Sequence, residues 1–242
     1  MLFLIDLDGT LIDSEPLHHR AWANVLGFND WYVRYLIQEH GLDYMLEDYP
    51  NPERLKKLKL KEMLKIERIN LIKNADRFIN YIVHNNINHV VVTNTNREVV
   101  EHFKKKVPIL NKLKNWIVRE DYDKRKPNPE CYHLAVDSYG NPGDYIIGFE
   151  DSKIGLSAIK HVTPTVYTIR RDSDYLKIME YIKIECRKKY GMHQINSNLT
   201  TRRKLGLSKI VFAMAGSLGL VNVLLSLKKE YLNYLERNTD SS

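Results

Sequence analysis

The chain has 242 residues, of which 43% are apolar and 28% charged, a composition that excludes a disordered or fibrous protein and suits one domain with an inserted or appended piece. The net charge of +7 comes from residues 181–242, where 11 Lys and Arg face 4 Asp and Glu, so the balanced body gives no reason to expect nucleic-acid binding. Two cysteines, Cys131 and Cys186, exclude a disulfide framework, and without a signal-peptide pattern we expect reduced thiols and a cytoplasmic location.

Five short apolar runs are predicted to be strands of one parallel sheet. They are rich in Val, Ile and aromatic residues and are apolar at successive positions, which is typical of strands buried on both faces. The runs are residues 2–7, 89–94, 116–119, 145–149 and 165–169. Helical patterns lie between them at residues 97–106, 129–139 and 153–160. This alternation predicts right-handed crossovers and a doubly wound α/β fold.

About sixty residues separate the first two predicted strands, which is too long for an ordinary crossover connection. Helical patterns within this segment cover residues 16–26, 30–40 and 52–72. We therefore expect a helical domain of residues 14–75, inserted into an α/β core made of residues 1–13 and 76–171.

Residues 172–242 are predicted to form a basic helical tail. The tail contains an amphipathic stretch at residues 175–190 and an 18-residue segment without charge at residues 210–227, with Lys and Arg on both sides. That segment has the minimum length of a membrane span. A helix that packs in a core or against a helical partner has the same composition, so membrane association and a helical partner are both open alternatives.

Two carboxylates stand at the end of the first predicted strand. Asp6 and Asp8 are two residues apart, so both side chains point to the same side of the strand. The carboxyl ends of parallel strands form the ligand crevice of an open sheet, and Gly9 permits a tight turn directly afterwards. The alternative is that the two aspartates only end a strand and cap a turn.

Polar residues also follow the next three predicted strands. Thr93 and Asn94 end the second strand, Lys126 follows the third, and Glu150 and Asp151 end the fourth. Each has an ordinary explanation, such as a helix N-cap formed by Thr95 or Ser152, or a solvated lysine. Together they supply a nucleophile, an acid, a hydroxyl donor, a cation and carboxylates for a hard metal, as phosphoryl transfer requires.

These residues form a recognisable set of motifs. The set is Asp-Leu-Asp-Gly-Thr-Leu from Asp6, the strand end at Thr93, Lys-Pro-Asn-Pro-Glu from Lys126, and Gly-Phe-Glu-Asp-Ser from Gly148 with Gly155. In this order they resemble the four signature motifs of the haloacid dehalogenase superfamily, over residues 1–171. The segment from Asp13 to Trp22 further resembles the β-phosphoglucomutase-like branch, whose helical cap is inserted between the first two motifs.

The resemblance implies a role for each core residue. Asp6 would attack phosphorus, Asp8 would protonate the leaving oxygen and then activate water, and Lys126 would neutralise charge. Thr93, the amide of Asn94, Gly9 and His18 would contact the substrate or its phosphate. Mg²⁺ would be held by Asp6, the main-chain carbonyl of Asp8, Glu150 and Asp151. Dehalogenases of the superfamily lack the second aspartate, so Asp8 indicates phosphate chemistry.

The inserted segment is less informative. His18 stands where mutase-like members carry a substrate-facing histidine, and the alternative is an exposed or hinge residue. Lys61 or Lys65 could reach the site, although the five lysines of this region first suggest a solvated face. The glycine-marked loop that sets substrate choice in the mutases is not recognisable, which argues against mutase activity.

The sequence therefore predicts a Mg²⁺-dependent phosphatase that acts on a small phosphorylated metabolite through an aspartyl phosphate. A sugar phosphate mutase is the alternative within the enzymes. The alternative of another class is a catalytically silent scaffold, or a binding protein tethered to a membrane, because a shared fold does not ensure a shared function.

Overall fold

The computed structural model describes residues 1–40, 42–170 and 174–190. Within these residues, five parallel strands form one sheet in the order β3-β2-β1-β4-β5, which confirms the predicted fold class. The strands are β1 (Leu2–Ile5), β2 (Asn88–Val92), β3 (Trp116–Ile117), β4 (Ile146–Glu150) and β5 (Val166–Thr168). The central strand β1 pairs on both sides, so that Leu2 is opposite Asn88 and Ile146.

Helices cover both faces of the sheet. The core helices are α5 (Ala75–His84), α6 (Arg97–Lys106), α7 (Glu130–Tyr139), α8 (Lys153–Ile159) and α9 (Asp174–Tyr190). Successive strand residues point to opposite faces, so Phe3 packs with residues of α5, α6 and α9, whereas Leu2 packs with residues of α7 and α8. Strands β1, β2 and β4 are therefore buried on both sides, as predicted, whereas the edge strand β5 is only partly buried.

The inserted segment forms four helices, namely α1 (Glu15–Leu26), α2 (Asp30–Glu39), α3 (Leu42–Leu46) and α4 (Pro52–Leu64). They enclose a small apolar cluster of their own around Trp22 and Val33. Two neighbouring chain segments join it to the sheet, since the Asp13 N–H donates to the Asn70 carbonyl and the Ile72 N–H to the Leu11 carbonyl. The domain boundaries given above stay a prediction.

Three predicted elements differ from the structure. The predicted helix of residues 52–72 is wrong beyond Leu64, because residues 70–72 run beside residues 11–13 and leave the helical conformation to do so. The third strand has only two residues, since a short 3₁₀ helix, Arg119–Asp121, begins right after Val118. Helix α5 is not among the helices predicted from the sequence, although its buried residues Ala75, Phe78, Ile79 and Ile82 lie on one face.

Helix α9 packs on the core rather than extending away from it. Tyr175 is fully buried, its ring stacks on Phe78, and its hydroxyl donates to the Thr10 carbonyl. None of the helices in the described part of the chain has the length and apolarity needed to cross a membrane. The predicted apolar segment at residues 210–227 lies outside the described residues.

Candidate active site

The predicted site residues meet where the parallel strands end. Asp6 follows β1, Glu150 ends β4, and Lys126 lies in the loop before α7. The Lys126 ammonium donates to Asp6 Oδ1 at 2.7 Å, to Glu150 Oε1 at 2.8 Å and to the Val92 carbonyl at 2.9 Å. Side chains that are far apart in the sequence are thus in direct contact.

Lys126 is buried, with only 5% of its surface exposed. Burial alone lowers the pKa of a lysine, but the carboxylates of Asp6 and Glu150 raise the pKa of Lys126 well above its usual value. The ammonium therefore stays charged at neutral pH.

The second oxygen of Asp6 has an unusual environment. Asp6 Oδ2 is buried and accepts no hydrogen bond from any residue that the structure describes. Burial and, as the second cause, the negative charge of Glu150 raise the pKa of Asp6 well above its usual value. The same two causes raise the pKa of Asp151 to about 6. Carboxylate oxygens of these three residues lie within 4.8 Å of one another. A cluster of this kind fits a hard divalent cation, which would supply the missing positive charge.

Glu150 is expected from the sequence to bind the metal, but both of its oxygens already accept hydrogen bonds. Oε1 accepts from Lys126 and from the Tyr132 hydroxyl, each at 2.8 Å. Oε2 accepts from the Asp151 N–H at 3.1 Å, and from the N–H and hydroxyl of Ser152 at 3.3 and 3.2 Å. Glu150 belongs to the carboxylate cluster but acts as the counter-ion of Lys126, so Asp6 and Asp151 are the side chains of the cluster that could hold a metal.

Two glycines make room for these carboxylates. Gly9 has φ +78°, and a Cβ there would lie 2.2 Å from Asp151 Oδ2, so the predicted turn also creates the space for Asp151. A Cβ on Gly155 would lie 1.8 Å from Glu150 Oε1. Both positions therefore require glycine because a carboxylate occupies the place of a side chain.

Asp8 accepts four hydrogen bonds. Its Oδ1 accepts from the Ser14 hydroxyl at 2.6 Å and contacts His18 Nε2 at 3.1 Å. Its Oδ2 accepts from the hydroxyls of Thr93 and Thr95, both at 2.8 Å. Partial burial raises the pKa of Asp8, but the hydrogen bonds from His18, Ser14 and Thr95 lower it well below its usual value. Its side chain is not part of the carboxylate cluster found among the described residues.

Side chains of the loop after β2 hold other residues of the site in place. Thr93, expected to hold phosphate, donates its hydroxyl to Asp8, and the hydroxyl of Thr95 binds Asp8 instead of capping α6. Asn94 Oδ1 accepts from the Lys126 N–H at 3.1 Å and from the Tyr122 hydroxyl at 2.7 Å, so its side chain holds the Lys126 loop. By contrast, Ser152 does cap α8, by accepting the Gly155 N–H at 3.0 Å.

A lysine of the inserted helices reaches the site. Lys59 of α4 donates to His18 Nδ1 at 2.6 Å, so His18 carries its proton on Nε2 and donates it to Asp8. Partial burial, followed by the charge of Lys59, lowers the pKa of His18, which is therefore neutral at pH 7. Burial lowers the pKa of Lys59 to about 8. Lys61 and Lys65, which the sequence suggests first as part of a solvated face, do lie at the surface: Lys61 is exposed and Lys65 pairs with Glu62.

A family model of haloacid dehalogenase-like hydrolases matches residues 1–163, which is well over half of the chain. The chain belongs to this family. The recognition made from the motifs is thereby confirmed, and none of the curated proteins matches the sequence.

Several solved structures share the fold of this haloacid dehalogenase-like hydrolase. The proposed β-phosphoglucomutase of Thermotoga maritima has 18% identity and a TM-score of 0.59, over 75% of this chain and 99% of its own. A proposed phosphoglycolate phosphatase of Lactobacillus plantarum has 16% identity and a TM-score of 0.61, over 74% and 97%. CbbY of Rhodobacter sphaeroides in complex with phosphate has 23% identity and a TM-score of 0.57, over 66% and 81%. At these identities the likeness establishes the shared fold.

Sequence reasoning missed Lys59 and Tyr132, although both have a signal in the pattern of this hydrolase. Leu55, Lys59 and Met63 are each four residues apart, so they lie on the same face of α4. Leu55 and Met63 pack in apolar clusters, so Lys59 lies on the apolar face of the helix rather than on a solvated one. Tyr132 lies on the buried face of α7, where a tyrosine hydroxyl needs a partner. Both are polar groups on an apolar helix face, which is a general indication of a functional contact.

Proposed function

We propose that this haloacid dehalogenase-like hydrolase is a Mg²⁺-dependent phosphatase that hydrolyses a small phosphate monoester through a phosphorylated Asp6. The observation that carries the proposal is the Asp6 carboxylate, with one oxygen held by Lys126 and the other buried without a donor among the described residues. Such an oxygen keeps its lone pairs available for attack on phosphorus.

Asp6 and Asp8 divide the chemistry between them. An oxygen of Asp6 forms a bond to phosphorus while the ester P–O bond breaks, and the leaving oxygen takes a proton from Asp8. Water then attacks the phosphorus of the aspartyl phosphate and gives its proton to Asp8, while the bond to Asp6 breaks and inorganic phosphate leaves. Lys126 neutralises charge on the phosphoryl group throughout. Asp6 and Asp151, with the Asp8 carbonyl, would hold Mg²⁺, whose charge keeps the carboxylates ionised and offsets their repulsion from phosphate.

Asp8 must carry a proton to act as the acid, whereas four donors keep it ionised in the structure. The negative charge of a bound phosphate raises the pKa of Asp8. Two of the four donors, Ser14 and His18, lie at the start of the inserted segment, so a movement of that segment would remove them. We infer that substrate binding and the position of the insert together set the protonation of Asp8.

The insert supports a small anionic substrate. Lys59 and His18 place a cation and an imidazole beside Asp8. With a pKa of about 8, Lys59 is mostly charged at pH 7 and attracts a phosphate. Helices that cover the strand ends also exclude bulk water from the aspartyl phosphate and help to choose the substrate.

The test is phosphate release from a generic aryl phosphate, followed by a panel of phosphorylated metabolites, with and without MgCl₂. We expect Mg²⁺-dependent turnover that Asp6→Asn abolishes. Asp13→Asn is the matched control, since Asp13 is an exposed aspartate close to the same strand end, and it should keep full activity. A pure protein that neither releases phosphate nor binds metal would overturn the proposal in favour of a silent scaffold.

A mutase is the second candidate, because the fold is shared with the proposed β-phosphoglucomutase of Thermotoga maritima and His18 contacts Asp8. Product analysis on sugar phosphates separates the two activities. Net isomerisation with little free phosphate would favour the mutase, and stoichiometric release of phosphate favours the phosphatase.

A further inference from the structure

Tyr132 lies directly beneath the lysine of the candidate site. Its side chain is fully buried in α7, and its ring centre is 4.7 Å from the Lys126 ammonium. Its hydroxyl donates to Glu150 Oε1 at 2.8 Å. The same tyrosine therefore contacts the cation through its ring and the counter-ion of that cation through its hydroxyl.

Lys126 and Tyr132 share one carboxylate oxygen. Glu150 Oε1 accepts from both, and Glu150 is completely buried. The three N–H groups of Lys126 are all used, on Asp6, the Val92 carbonyl and Glu150. The ammonium is thus divided between two carboxylates, and only its interaction with Asp6 acts on the nucleophile and the phosphoryl group.

We propose that Tyr132 is a positioning residue that keeps Lys126 directed towards Asp6. Its hydroxyl satisfies part of the hydrogen-bonding capacity of Glu150 Oε1, so that Glu150 does not draw the ammonium away, and its ring supports the ammonium from below. The inference rests on the proposed phosphatase function, because it assigns Lys126 to the charge that develops on the phosphoryl group.

Replacement of the tyrosine by phenylalanine isolates the hydroxyl. Tyr132→Phe keeps the ring and the packing of α7 but leaves Lys126 as the only donor to Glu150 Oε1 among the described residues. The Lys126–Glu150 pair then tightens, and less of the positive charge acts at Asp6. Loss of a direct donor to transition-state charge costs roughly 100-fold or more in kcat, so a change one contact away should lower kcat by about 10-fold. KM should stay within about twofold, since the ground-state contacts of the substrate are unchanged.

Vanadate affinity gives a readout that does not depend on turnover. Vanadate imitates the phosphoryl group in its most highly charged state, so its affinity should weaken in Tyr132→Phe by about the same factor as kcat falls. Tyr139→Phe is the matched control, because Tyr139 lies in the same helix and its hydroxyl makes no hydrogen bond to the described residues. We expect its kcat, KM and vanadate affinity to equal those of the wild type.

The experiment compares the three proteins for kcat, KM, vanadate affinity and melting temperature. A fall in kcat with matching loss of vanadate affinity, at unchanged KM and similar melting temperature, supports the positioning role. Wild-type kcat in Tyr132→Phe overturns it, as does a parallel change of kcat and KM with a large drop in melting temperature. If the wild type has no turnover, the proposed function fails, and the vanadate measurement then tests the inference on its own. Equal vanadate affinity of the wild type and Tyr132→Phe, or no vanadate binding by either of them, overturns the inference.

Discussion

Gly155→Ala tests whether the buried Glu150 carboxylate occupies the space beside α8. Helix propensity alone favours alanine over glycine in a helix by up to about 1 kcal/mol. In the structure, however, the new Cβ would lie 1.8 Å from Glu150 Oε1 and 2.0 Å from its Cδ. The backbone of α8 cannot retreat freely, because the Gly155 N–H is held by the Ser152 hydroxyl. The glutamate must therefore move.

The magnitude follows from what Glu150 loses. A displaced carboxylate gives up its contacts with Lys126 and Tyr132, and breaking a buried charge pair costs about 3–5 kcal/mol. After the gain in helix propensity is subtracted, we expect the free energy of unfolding of Gly155→Ala to be about 3 kcal/mol lower than that of the wild type. Helix propensity alone would predict a higher value. Urea denaturation in EDTA measures this difference.

A double-mutant cycle identifies the cause. In the Glu150→Ala background the clash is absent, so Gly155→Ala should be neutral or slightly stabilising there. Gly143→Ala is a control for loss of glycine alone: Gly143 has φ +81° and open space around its Cβ, so strain of about 1 kcal/mol is the whole expected cost. Equal or higher stability of Gly155→Ala than of the wild type would refute the reasoning, as would the same destabilisation in both backgrounds.

Two further predictions concern charge. The pKa of Asp151 is about 6 in the folded protein and 3.8 when unperturbed, so the folded state holds the Asp151 proton more tightly than the unfolded state does. Protonated Asp151 therefore stabilises the fold, and this stabilisation is lost as the pH rises through 6. In EDTA, wild type should therefore lose about 1 kcal/mol relative to Asp151→Asn between pH 5 and 7 in urea denaturation, and parallel pH profiles would contradict this. Lys59→Met should raise the free energy of unfolding at pH 7 by about 2 kcal/mol, because the low pKa of Lys59, about 8, shows that burying its charge is unfavourable. The same variant should lower kcat several-fold, because His18 loses the donor to its Nδ1. Lys61→Met should change neither quantity, and wild-type kcat in Lys59→Met would show that Lys59 does not act through His18.

The sequence is most informative where a residue's position follows from strand order alone. Asp6, Lys126 and Glu150 could be placed together because parallel strands end at one edge of a sheet, whatever the length of the intervening segments. Gly9 and Gly155 could be recognised from the sequence as parts of motifs, but the carboxylates that lie against them could not. The contact between Gly155 and Glu150, for example, depends on the angle at which α8 leaves β4.

The contacts of the inserted helices could not be predicted in this way. Lys59 reaches His18 only because α4 packs against α1, and no strand register fixes that packing. The apolar spacing also does not predict where α4 ends, because it continues past Leu64. The helix ends there because the chain returns to lie beside residues 11–13. The role of Glu150 needed atomic positions, since glutamate is a suitable ligand for both a metal and a lysine.

The hydrogen bond from Tyr175 to Thr10 joins helix α9 to the loop after β1. Thr10 donates its own hydroxyl to Asp151 at 3.1 Å, so the loop that follows Asp6 is supported by a helix more than 160 residues later in the chain. During synthesis on the ribosome, this loop therefore lacks its support until α9 has emerged. A shortened protein that ends before Tyr175 would expose Phe78 and leave the Thr10 carbonyl without its tyrosine donor, so any minimal active version of the enzyme has to include α9.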